Sequence, residues 1–366
     1  MKLAILGTRG IPNHYGGFEQ FAQYISKNLV KRGHDVTVYN SHNHPYQLTL
    51  WEGVRIIHCY DPEKIIGTAG QFIYDLNCII DIRRRNFDIV LQLGYTSSSV
   101  WNWLFPKKTI IITNMDGLEW KRSKYSFYVQ SFLRFAEKIA IKHSNYIISD
   151  SIGIKKYVES KFSKSSHYIP YGANFEIEFQ DSLLDDFQLS KNDFFLLIAR
   201  IEPENNIEDI IQGFLNANTN KKLVIVGSTN TKFGRYLEEK YVYDDIKYLQ
   251  YINNDLLLNT LRKNALIYFH GHSVGGTNPS LLEAMAANAF ICANNNEFNK
   301  SILEKDALYF NSSLDVTTII NEGFSEDLRV TFAKNNYRKI QEIYNWDVVS
   351  NQYETFLLTT IQGIEN

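Results

Sequence analysis

The stretch of sequence best suited to hold an anion follows a predicted strand in the second half of the chain. It reads His270-Gly271-His272-Ser273-Val274-Gly275-Gly276-Thr277-Asn278-Pro279-Ser280-Leu281-Leu282-Glu283. Asn278 and Pro279 are residue types favoured at the N-cap and at the first position of a helix. The backbone N–H groups of the Gly275–Asn278 loop and of the helix start would then form a cradle for a diphosphate.

Glu283 would lie about one turn into that helix, where its carboxylate would accept hydrogen bonds from the hydroxyl groups of a nucleotide ribose. The alternative is a capping box, in which Ser280 is the N-cap and Glu283 binds its backbone N–H group. His270 and His272 lie two residues apart on a strand. Because no carboxylate or cysteine is grouped with them, we do not expect a zinc site.

A second segment suited to phosphate chemistry is Ile198-Ala199-Arg200-Ile201-Glu202-Pro203-Glu204-Asn205-Asn206. Arg200 closes a predicted strand, where its guanidinium would neutralise the charge that develops on a leaving diphosphate. A salt bridge at a domain interface is the alternative role. The sequence contains no Asp-x-Asp pair of the kind that holds Mg²⁺ or Mn²⁺ on a diphosphate, so helix dipoles and Arg200 would have to stabilise that charge.

The first half of the chain has a glycine-rich candidate site after its first predicted strand. The segment Gly7-Thr8-Arg9-Gly10-Ile11-Pro12-Asn13-His14-Tyr15-Gly16-Gly17-Phe18-Glu19 is neither a Walker A motif nor a dinucleotide fingerprint. Gly16 and Gly17 would let backbone N–H groups at a helix start approach an anionic ligand, with Arg9 and His14 close by. A plain strand-to-helix turn is the alternative.

Another candidate site in the first half clusters two carboxylates, two cations and an indole. It reads Thr113-Asn114-Met115-Asp116-Gly117-Leu118-Glu119-Trp120-Lys121-Arg122. Asp116 at a strand end would orient or deprotonate an acceptor hydroxyl, and Lys121 and Arg122 would hold phosphate. For Asp116 the alternative is an Asx-turn with Gly117, and for Lys121 and Arg122 it is a solvated helix face.

Short, mostly continuous apolar runs alternate with helical patterns along the whole chain, which is typical of parallel sheets wrapped by helices. They form two series separated by a polar stretch, 172–193, that is the best candidate for a linker. The sequence therefore predicts two Rossmann-like domains with a cleft between them, 1–171 and 172–346. We expect a final helix, about 347–366, to cap the second domain or to cross back to the first. The predicted strands are Lys2–Leu6, Asp35–Tyr39, Val54–His58, Asp88–Leu93, Thr109–Thr113, Tyr146–Ser149, Phe194–Ala199, Leu223–Val226, Lys247–Gln250, Leu266–Phe269, Phe290–Ala293 and Leu308–Phe310.

The composition is that of an ordinary globular protein, with 44% hydrophobic and 21% charged residues, which excludes disorder, collagen and coiled coil. Residues 1–172 contain 22 Lys and Arg against 13 Asp and Glu, whereas residues 173–366 contain 16 against 27. The basic first half suits an anionic partner, such as a phosphate-bearing substrate or an acidic membrane surface. A scattered surface bias without a partner is the alternative, and no nucleic-acid-binding motif is present.

Cysteine usage and hydropathy predict the compartment. Three widely separated cysteines fit a reducing environment. The apolar N-terminus is too short for a signal peptide and is typical of a first strand, and no stretch has the pattern of a membrane span. We therefore expect a soluble, cytoplasmic protein.

These motifs together resemble family-4 retaining glycosyltransferases of the two-domain GT-B fold. The resemblance covers nearly the whole chain and rests on the glycine loop after the first strand, on Ala199-Arg200-Ile201 with Pro203-Glu204, on Pro279-Ser280-Leu281-Leu282-Glu283-Ala284-Met285-Ala286, and on Tyr344-Asn345-Trp346. The two motifs of the first half look like those of bacterial rhamnosyltransferase-like enzymes of capsule and polysaccharide assembly.

Three positions depart from the pattern of that family. Gly275 stands where the family has the first Glu of an E-x7-E motif, Asn205 where it has a Lys, and Met115 where a His usually precedes Asp116. The sugar contact of the missing Glu would have to come from elsewhere, such as backbone amides.

The resemblance implies a hexosyltransferase that needs no metal or cofactor. It would move a sugar, such as rhamnose, from a nucleotide diphosphate sugar to a saccharide acceptor linked to polyprenyl diphosphate, at the inner face of the cell membrane. A nucleotide-sugar epimerase, a non-catalytic sensor of sugar nucleotides and an NAD dehydrogenase are the alternatives. The implied catalytic residues are Asp116, Arg200 and Glu119; the donor would bind Gly16, Gly17, Arg200, Gly275, Gly276, Thr277, Asn278 and Glu283, and the acceptor Arg9, His14, Tyr15, Trp120, Lys121 and Arg122.

Overall fold

The computed structural model describes residues 1–14, 16–115, 117–122 and 125–365. The chain forms two compact units: unit 1 is Met1–Tyr171 with Trp346–Asn366, and unit 2 is Gly172–Asn345. Each unit contains a mainly parallel sheet wrapped by helices. The predicted α/β class with two Rossmann-like halves is therefore confirmed.

The sheet of unit 1 has strand order β3-β4-β2-β1-β5-β6-β7-β8, and every neighbouring pair is parallel except β3 with β4. The sequence did not predict β3 and β8, because a two-residue edge strand leaves no apolar run to detect. The strands are β1 (Lys2–Leu6), β2 (Asp35–Ser41), β3 (Leu50–Trp51), β4 (Val54–Cys59), β5 (Ile89–Leu93), β6 (Ile110–Met115), β7 (Tyr146–Ser149) and β8 (His167–Tyr168).

The longer helices of unit 1 bury one apolar face each. In the first of them, Phe21, Ala22, Ile25 and Leu29 recur at helical spacing and are all buried. The helices are α1 (Gly17–Lys31), α2 (Glu63–Ile66), α3 (Gly70–Ile82), α4 (Phe127–His143) and α5 (Ile152–Phe162), with short 3₁₀ turns at Gly67–Ala69, Ser99–Leu104 and Glu119–Lys121.

The sheet of unit 2 is parallel throughout, with strand order β11-β10-β9-β12-β13-β14. Because β9 lies between β10 and β12, the strand order reverses at β9, and the loops that leave the carboxyl ends of β9 and β12 flank the position where open α/β sheets bind ligands. The strands are β9 (Phe194–Ile198), β10 (Lys222–Val226), β11 (Ile246–Leu249), β12 (Ile267–His270), β13 (Ile291–Asn294) and β14 (Leu308–Phe310).

An aromatic core fixes the helices of unit 2 on this sheet. Phe195 on β9 packs against Phe214 and Phe269 with ring centroids 5.9 and 6.0 Å apart, and burying each such ring stabilises the unit by about 2 kcal/mol. The helices are α6 (Ile207–Leu215), α7 (Lys232–Lys240), α8 (Asp255–Asn264), α9 (Pro279–Ala286), α10 (Glu297–Leu303), α11 (Ser313–Glu322) and α12 (Glu326–Lys339), followed by a π-helical turn at Ile340–Tyr344.

The polar stretch 172–193 is not a linker, which corrects the prediction. It belongs to unit 2 and contains a 3₁₀ helix, Asp181–Phe187. Leu184 and Leu189 are buried, and Asn264 Nδ2 donates to Asp181 Oδ1 at 2.9 Å. The sequence did not reveal these contacts, because the buried aliphatic residues of the stretch are few and stand among acidic ones.

The last helix, α13 (Trp346–Glu365), belongs to unit 1 and packs against α1. Trp346 stacks on Tyr24 with ring centroids 4.7 Å apart, and Tyr353 packs edge-on against Phe21 at 5.0 Å. Arg32 adds an ion pair to Glu354 at 2.7 Å. No helix in the described ranges is both long enough and apolar enough to cross a bilayer.

A buried carboxyl group of unit 1 has a raised pKa. Asp75 on α3 accepts a hydrogen bond of 2.5 Å from Ser97 Oγ, in the loop after β5. Burial raises the pKa of Asp75 to about 7, against the lowering effect of the Ser97 hydrogen bond and with a further rise from the neighbouring Asp61.

This raised pKa predicts that stability falls as pH rises. Between about pH 4 and pH 7 the folded state keeps the proton on Asp75 whereas the unfolded chain loses it, so the free energy of unfolding drops by about 4 kcal/mol across that window. Asp75→Asn removes this drop, and near pH 8 the variant is more stable than the wild type. Thermal unfolding at both ends of the window measures the difference. The exposed Asp35→Asn serves as control, and an unchanged pH dependence in Asp75→Asn would contradict the assignment.

Candidate functional site

The loops that follow β9, β12 and β13 meet at the carboxyl edge of the unit 2 sheet. The β12 loop is held from both sides: Asn206 Nδ2 donates to Gly271 O at 2.7 Å, and Ser273 Oγ donates to Glu204 O at 2.7 Å. From the β13 side, Asn296 and Asn299 both donate to His272 O, at 2.9 and 3.1 Å. The two segments that the sequence nominated separately, 198–206 and 270–283, therefore form one site.

A glycine at position 271 is required by this arrangement. A Cβ there would lie 2.0 Å from the backbone oxygen of Asn205, so the two loops approach backbone to backbone. Asn205 itself is buried and donates to the backbone oxygen of Arg200 at 2.7 Å. Asn205, which stands where the resembled family has a Lys, therefore closes the loop that presents the exposed Arg200.

Helix α9 begins as predicted. Asn278 is its N-cap and accepts from Ser280 N at 2.9 Å, with Pro279 at the first helical position. The capping box between Ser280 and Glu283 is not formed, because Ser280 is already inside the helix and its hydroxyl pairs with Tyr268 OH at 2.8 Å. The N–H groups of the first turn are bonded to Asn278, so α9 brings the positive end of its helix dipole to this edge.

The loop that leads into α9 combines an open and a buried position. Gly275 has φ +140°, and a Cβ there would meet nothing within 4 Å. Thr277 is 2% exposed. Gly276 lies between them. The loop conformation at Gly275 lies outside the range that side-chain-bearing residues readily adopt, which gives a physical reason for the absence of a Glu at this position.

Glu283 has a partner that the sequence did not predict. Arg262 on α8 donates from one terminal nitrogen to Glu283 Oε2 at 2.5 Å and from the other to Asn259 Oδ1 at 3.2 Å. The Arg262 side chain is 4% exposed, whereas that of Glu283 is 34% exposed. The buried Arg262 therefore holds one carboxylate oxygen of Glu283, and the Glu283 side chain remains partly exposed to solvent.

The two histidines of this segment stack on each other. The rings of His270 and His272 lie 4.4 Å apart with an interplanar angle of 15°. Burial lowers the pKa of His270 well below its usual range, and His272 lowers it further, so His270 is neutral. Within the described ranges, no group of three or more His, Cys, Asp or Glu side chains has the arrangement of a metal site.

In unit 1, the glycine-rich loop after β1 is braced by two buried polar side chains. Glu19, in the first turn of α1, accepts from Thr8 Oγ1 at 3.1 Å and from Arg9 N at 2.8 Å. Asn40 accepts from Ile11 N at 3.0 Å and donates to Ile11 O at 2.8 Å. These contacts fix the backbone that leads to the start of α1.

The residues of this loop that were predicted to contact a ligand differ in exposure and in their partners. Arg9 forms a two-point ion pair with Glu63, with its closest contact at 2.8 Å. His14 is exposed, and its ring lies 6.3 Å from that of His44. Gly16 is the N-cap of α1, and Gly17 begins the helix and accepts a hydrogen bond from Tyr171 OH. Tyr15 lies outside the described residues.

The cluster after β6 is largely paired within itself. Glu119 accepts from Arg122 Nε at 2.9 Å, so a predicted catalytic carboxylate and a predicted acceptor cation neutralise each other. Lys121 lies over the Trp120 ring at 5.6 Å. Asp116 lies outside the described residues.

A fully buried glutamate, Glu137 on α4, holds the turn that carries Trp120. It accepts from Trp120 Nε1 at 3.2 Å, from Tyr157 OH at 2.8 Å and from Lys161 Nζ at 3.1 Å. Burial and the Glu137 carboxylate raise the pKa of Tyr157. The indole N–H of Trp120 is thus engaged in positioning its own turn, and the cations of Arg134 and Lys161 lie over its ring at 4.8 and 5.3 Å.

Two of these positioning residues were missed by sequence analysis, for different reasons. Arg262 lies 21 residues from Glu283 on another helix, and no local pattern reports such a contact. Glu137, however, falls among the buried positions Leu133, Ala136 and Ala140 of α4. A carboxylate on an apolar helix face is a detectable signal, because burial without partners would be costly.

Comparisons with known families and structures agree with this fold. Residues 181–321 match the family described as glycosyl transferases group 1. Residues 1–174 match a domain of unknown function, DUF1972. No curated protein matches the sequence.

Solved structures match along the whole chain. Sucrose-phosphate synthase from Thermosynechococcus elongatus superposes with a TM-score of 0.82 at 14% identity over 99% of each chain. Anabaena HepE in complex with UDP gives 0.77 at 14% identity over 98% of this chain and 100% of that chain. α,α-Trehalose 6-phosphate synthase from Burkholderia multivorans gives 0.73 at 11% identity over 100% of this chain and 98% of that chain.

The fold is that of GT-B glycosyltransferases. With the family match of residues 181–321, it supports a glycosyltransferase of the GT-B type. The rhamnosyltransferase-like subgroup and the part in capsule assembly stay predictions.

The contact between the two loops of unit 2 predicts a specific loss of stability. Gly271→Ala places a methyl group against the Asn205 carbonyl and destabilises the protein by about 3 kcal/mol, because neither backbone can move aside cheaply. Thermal unfolding measures the loss. Gly363→Ala is the matched control, since a Cβ there meets nothing within 4 Å. Equal melting temperatures for the two variants would contradict the close approach.

Proposed function

We propose that this chain is a glycosyltransferase that takes a sugar from a nucleotide diphosphate sugar and transfers it to a saccharide acceptor. The observation that carries the proposal is the carboxyl edge of the unit 2 sheet. There the exposed Arg200 and the N-terminus of α9 belong to loops that are hydrogen-bonded together, within the segment that matches glycosyl transferases group 1. A guanidinium and the positive end of a helix dipole both stabilise the charge of a diphosphate.

Each residue of this edge has a distinct part in the proposed reaction. The Gly275–Asn278 loop and α9 hold the diphosphate, and Arg200 stabilises the negative charge that develops as the sugar–phosphate bond breaks. The partly open carboxylate of Glu283, fixed by Arg262, accepts from the ribose hydroxyl groups. The departing phosphate oxygen takes the proton of the acceptor hydroxyl on the same face of the sugar, so the configuration is retained and a separate protein base is not needed.

The acceptor belongs to unit 1 in this proposal. The start of α1 at Gly16 and Gly17 and the turn around Trp120 are both at the carboxyl edge of its sheet, after β1 and β6. An acceptor linked to polyprenyl diphosphate suits the excess of Lys and Arg in the first 172 residues. Asp116 would orient its hydroxyl. The proposed setting is synthesis of a cell-surface polysaccharide, with rhamnose as one candidate sugar.

Thermal-shift measurements with UDP-, dTDP- and GDP-sugars test the proposal first. A true donor at a hundred times its Kd stabilises the protein by about 3 kcal/mol. Donor incubated without acceptor separates the alternatives: an isomerised sugar indicates an epimerase, and binding without hydrolysis or transfer indicates a sensor. HepE was crystallised with UDP and with UDP-glucose, which makes UDP-sugars the first to try.

Glu283 provides the sharpest test of the donor site. Glu283→Ala should weaken binding of the matching nucleoside diphosphate by about tenfold or more, because a hydrogen bond to a charged group contributes about 1.5–3 kcal/mol. An analogue without ribose hydroxyl groups should bind the wild type and this variant equally. Calorimetry measures both affinities.

The control for this test is Glu297→Ala, which removes an exposed carboxylate from α10. It should leave both affinities unchanged. Arg200→Ala should abolish transfer while ribose discrimination persists. A Glu283→Ala variant that still prefers the ribose hydroxyl groups would show that the nucleotide lies elsewhere.

A further inference from the structure

The surface of unit 1 exposes several large aromatic side chains on one helix. On α4, the exposed fractions of Phe127, Tyr128 and Phe135 are 71%, 83% and 57%. The 3₁₀ helix Ser99–Leu104 packs against α4 and carries Trp103, which is 73% exposed. Helices of soluble proteins normally present polar residues to water, and clustered exposed aromatics mark an interaction surface.

These aromatic residues share one side of α4 with cations. At 100° per residue, seven of its exposed positions fall within an arc of about 120°, whereas the exposed Val129 and His143 lie outside it. We call this arc the α4 face. Aromatic residues stand at its N-terminal end, an arginine and a phenylalanine at its middle, and lysines towards its C-terminal end. The α4 face consists of Phe127, Tyr128, Ser131, Arg134, Phe135, Lys138 and Lys142, all of which are exposed.

The α4 face carries no negative charge. The only acidic residue of α4 is Glu137, whose side chain is fully buried and engaged with Trp120, Tyr157 and Lys161. The neighbouring segment 99–108 also lacks Asp and Glu and ends in the exposed Lys107 and Lys108. The exposed charge of this surface is therefore uniformly positive.

The buried side of α4 makes this face a rigid one. Leu133, Ala136, Ala140 and Ile141 are buried, and Ser126 caps the helix through its hydroxyl. The aromatic residues thus face solvent because the opposite side of the helix is committed to the core. Rotating α4 to hide them would expose that core and the Glu137 carboxylate.

The positive charge and the aromatic residues of the α4 face together indicate one kind of partner. Aromatic rings are favoured at the level of lipid headgroups, and lysines nearby are attracted to anionic lipids. An amphipathic helix with these two features binds in the plane of a bilayer interface. We infer that the α4 face docks unit 1 onto an anionic lipid bilayer. The inference deepens the proposed lipid-linked acceptor but stands on a surface outside the donor site.

Vesicle co-sedimentation of the full-length protein tests this inference. Wild-type protein should bind vesicles of phosphatidylcholine mixed with phosphatidylglycerol at least about tenfold more strongly than vesicles of phosphatidylcholine alone, and added salt should weaken that binding. Phe127→Ser with Tyr128→Ser and Phe135→Ser should lower binding to both kinds of vesicle. Lys138→Glu with Lys142→Glu should abolish the preference for the anionic ones.

Matched controls come from exposed residues of unit 2. Val242→Ser with Tyr243→Ser removes apolar side chains that are 78% and 53% exposed, and Lys305→Glu with Lys334→Glu reverses two exposed cations. Both controls should bind vesicles as the wild type does. Circular dichroism and nucleotide binding by calorimetry check that every variant is folded.

Nucleotide binding also separates this inference from the proposed function, since the α4 variants should bind nucleotide as the wild type does. Equal binding of the wild type to neutral and anionic vesicles, or loss of binding in the controls as much as in the α4 variants, would overturn the inference. So would a wild-type dimer, measured by light scattering, that becomes monomeric in the aromatic variant, because the face would then bind a second copy.

Discussion

The candidate site of unit 2 depends on one close approach of two backbone segments. The carbonyl of Asn205 occupies the space where any side chain at position 271 would have to lie. Side-chain bonds from Asn206 and Ser273 then join the same two loops. Arg200 and the start of α9 follow two neighbouring strands, β9 and β12, and because of this contact their loops share one rigid support.

Unit 1 supports its corresponding loop by a different means. Glu19 and Asn40 bind the backbone of the β1 loop with buried carboxylate and amide groups. In both units, the contacts that fix the loop do not involve the backbone N–H groups at the start of the following helix. They also provide hydrogen-bond partners for the buried polar groups of the loop, as buried backbone requires. A carboxylate beside α1 also lowers the positive potential there, whereas the start of α9 has Arg200 on a joined loop. This difference supports the proposal that the diphosphate binds unit 2.

The proposed anion site conflicts at first sight with net charge, because residues 173–366 are acidic and residues 1–172 are basic. The conflict disappears when distance is considered. Net charge acts through water over about 8 Å at physiological salt, whereas backbone N–H groups and a guanidinium act at hydrogen-bond distance. Net charge therefore bears on the approach of large anionic partners, whereas in the proposed function local dipoles hold the diphosphate.

The sequence predicted those features that arise from local patterns. Twelve strands gave continuous apolar runs, and the start of α9 followed from Asn278 and Pro279, whose preferences are set by backbone geometry alone. Long-range contacts had no such signal. The pairing of Arg262 with Glu283 joins two helices, and the internal pairing of Glu119 with Arg122 depended on a turn whose direction the spacing did not reveal.

The position of α13 has a consequence for how the protein is made. Its aromatic residues complete the packing of α1, although the two helices are at opposite ends of the chain. Domains that are continuous in sequence can fold during synthesis, but unit 1 needs α13, which is synthesised after the whole of unit 2. Unit 2 is continuous from 172 to 345, so the later-made half of the protein is free to reach its native state before the earlier-made half does.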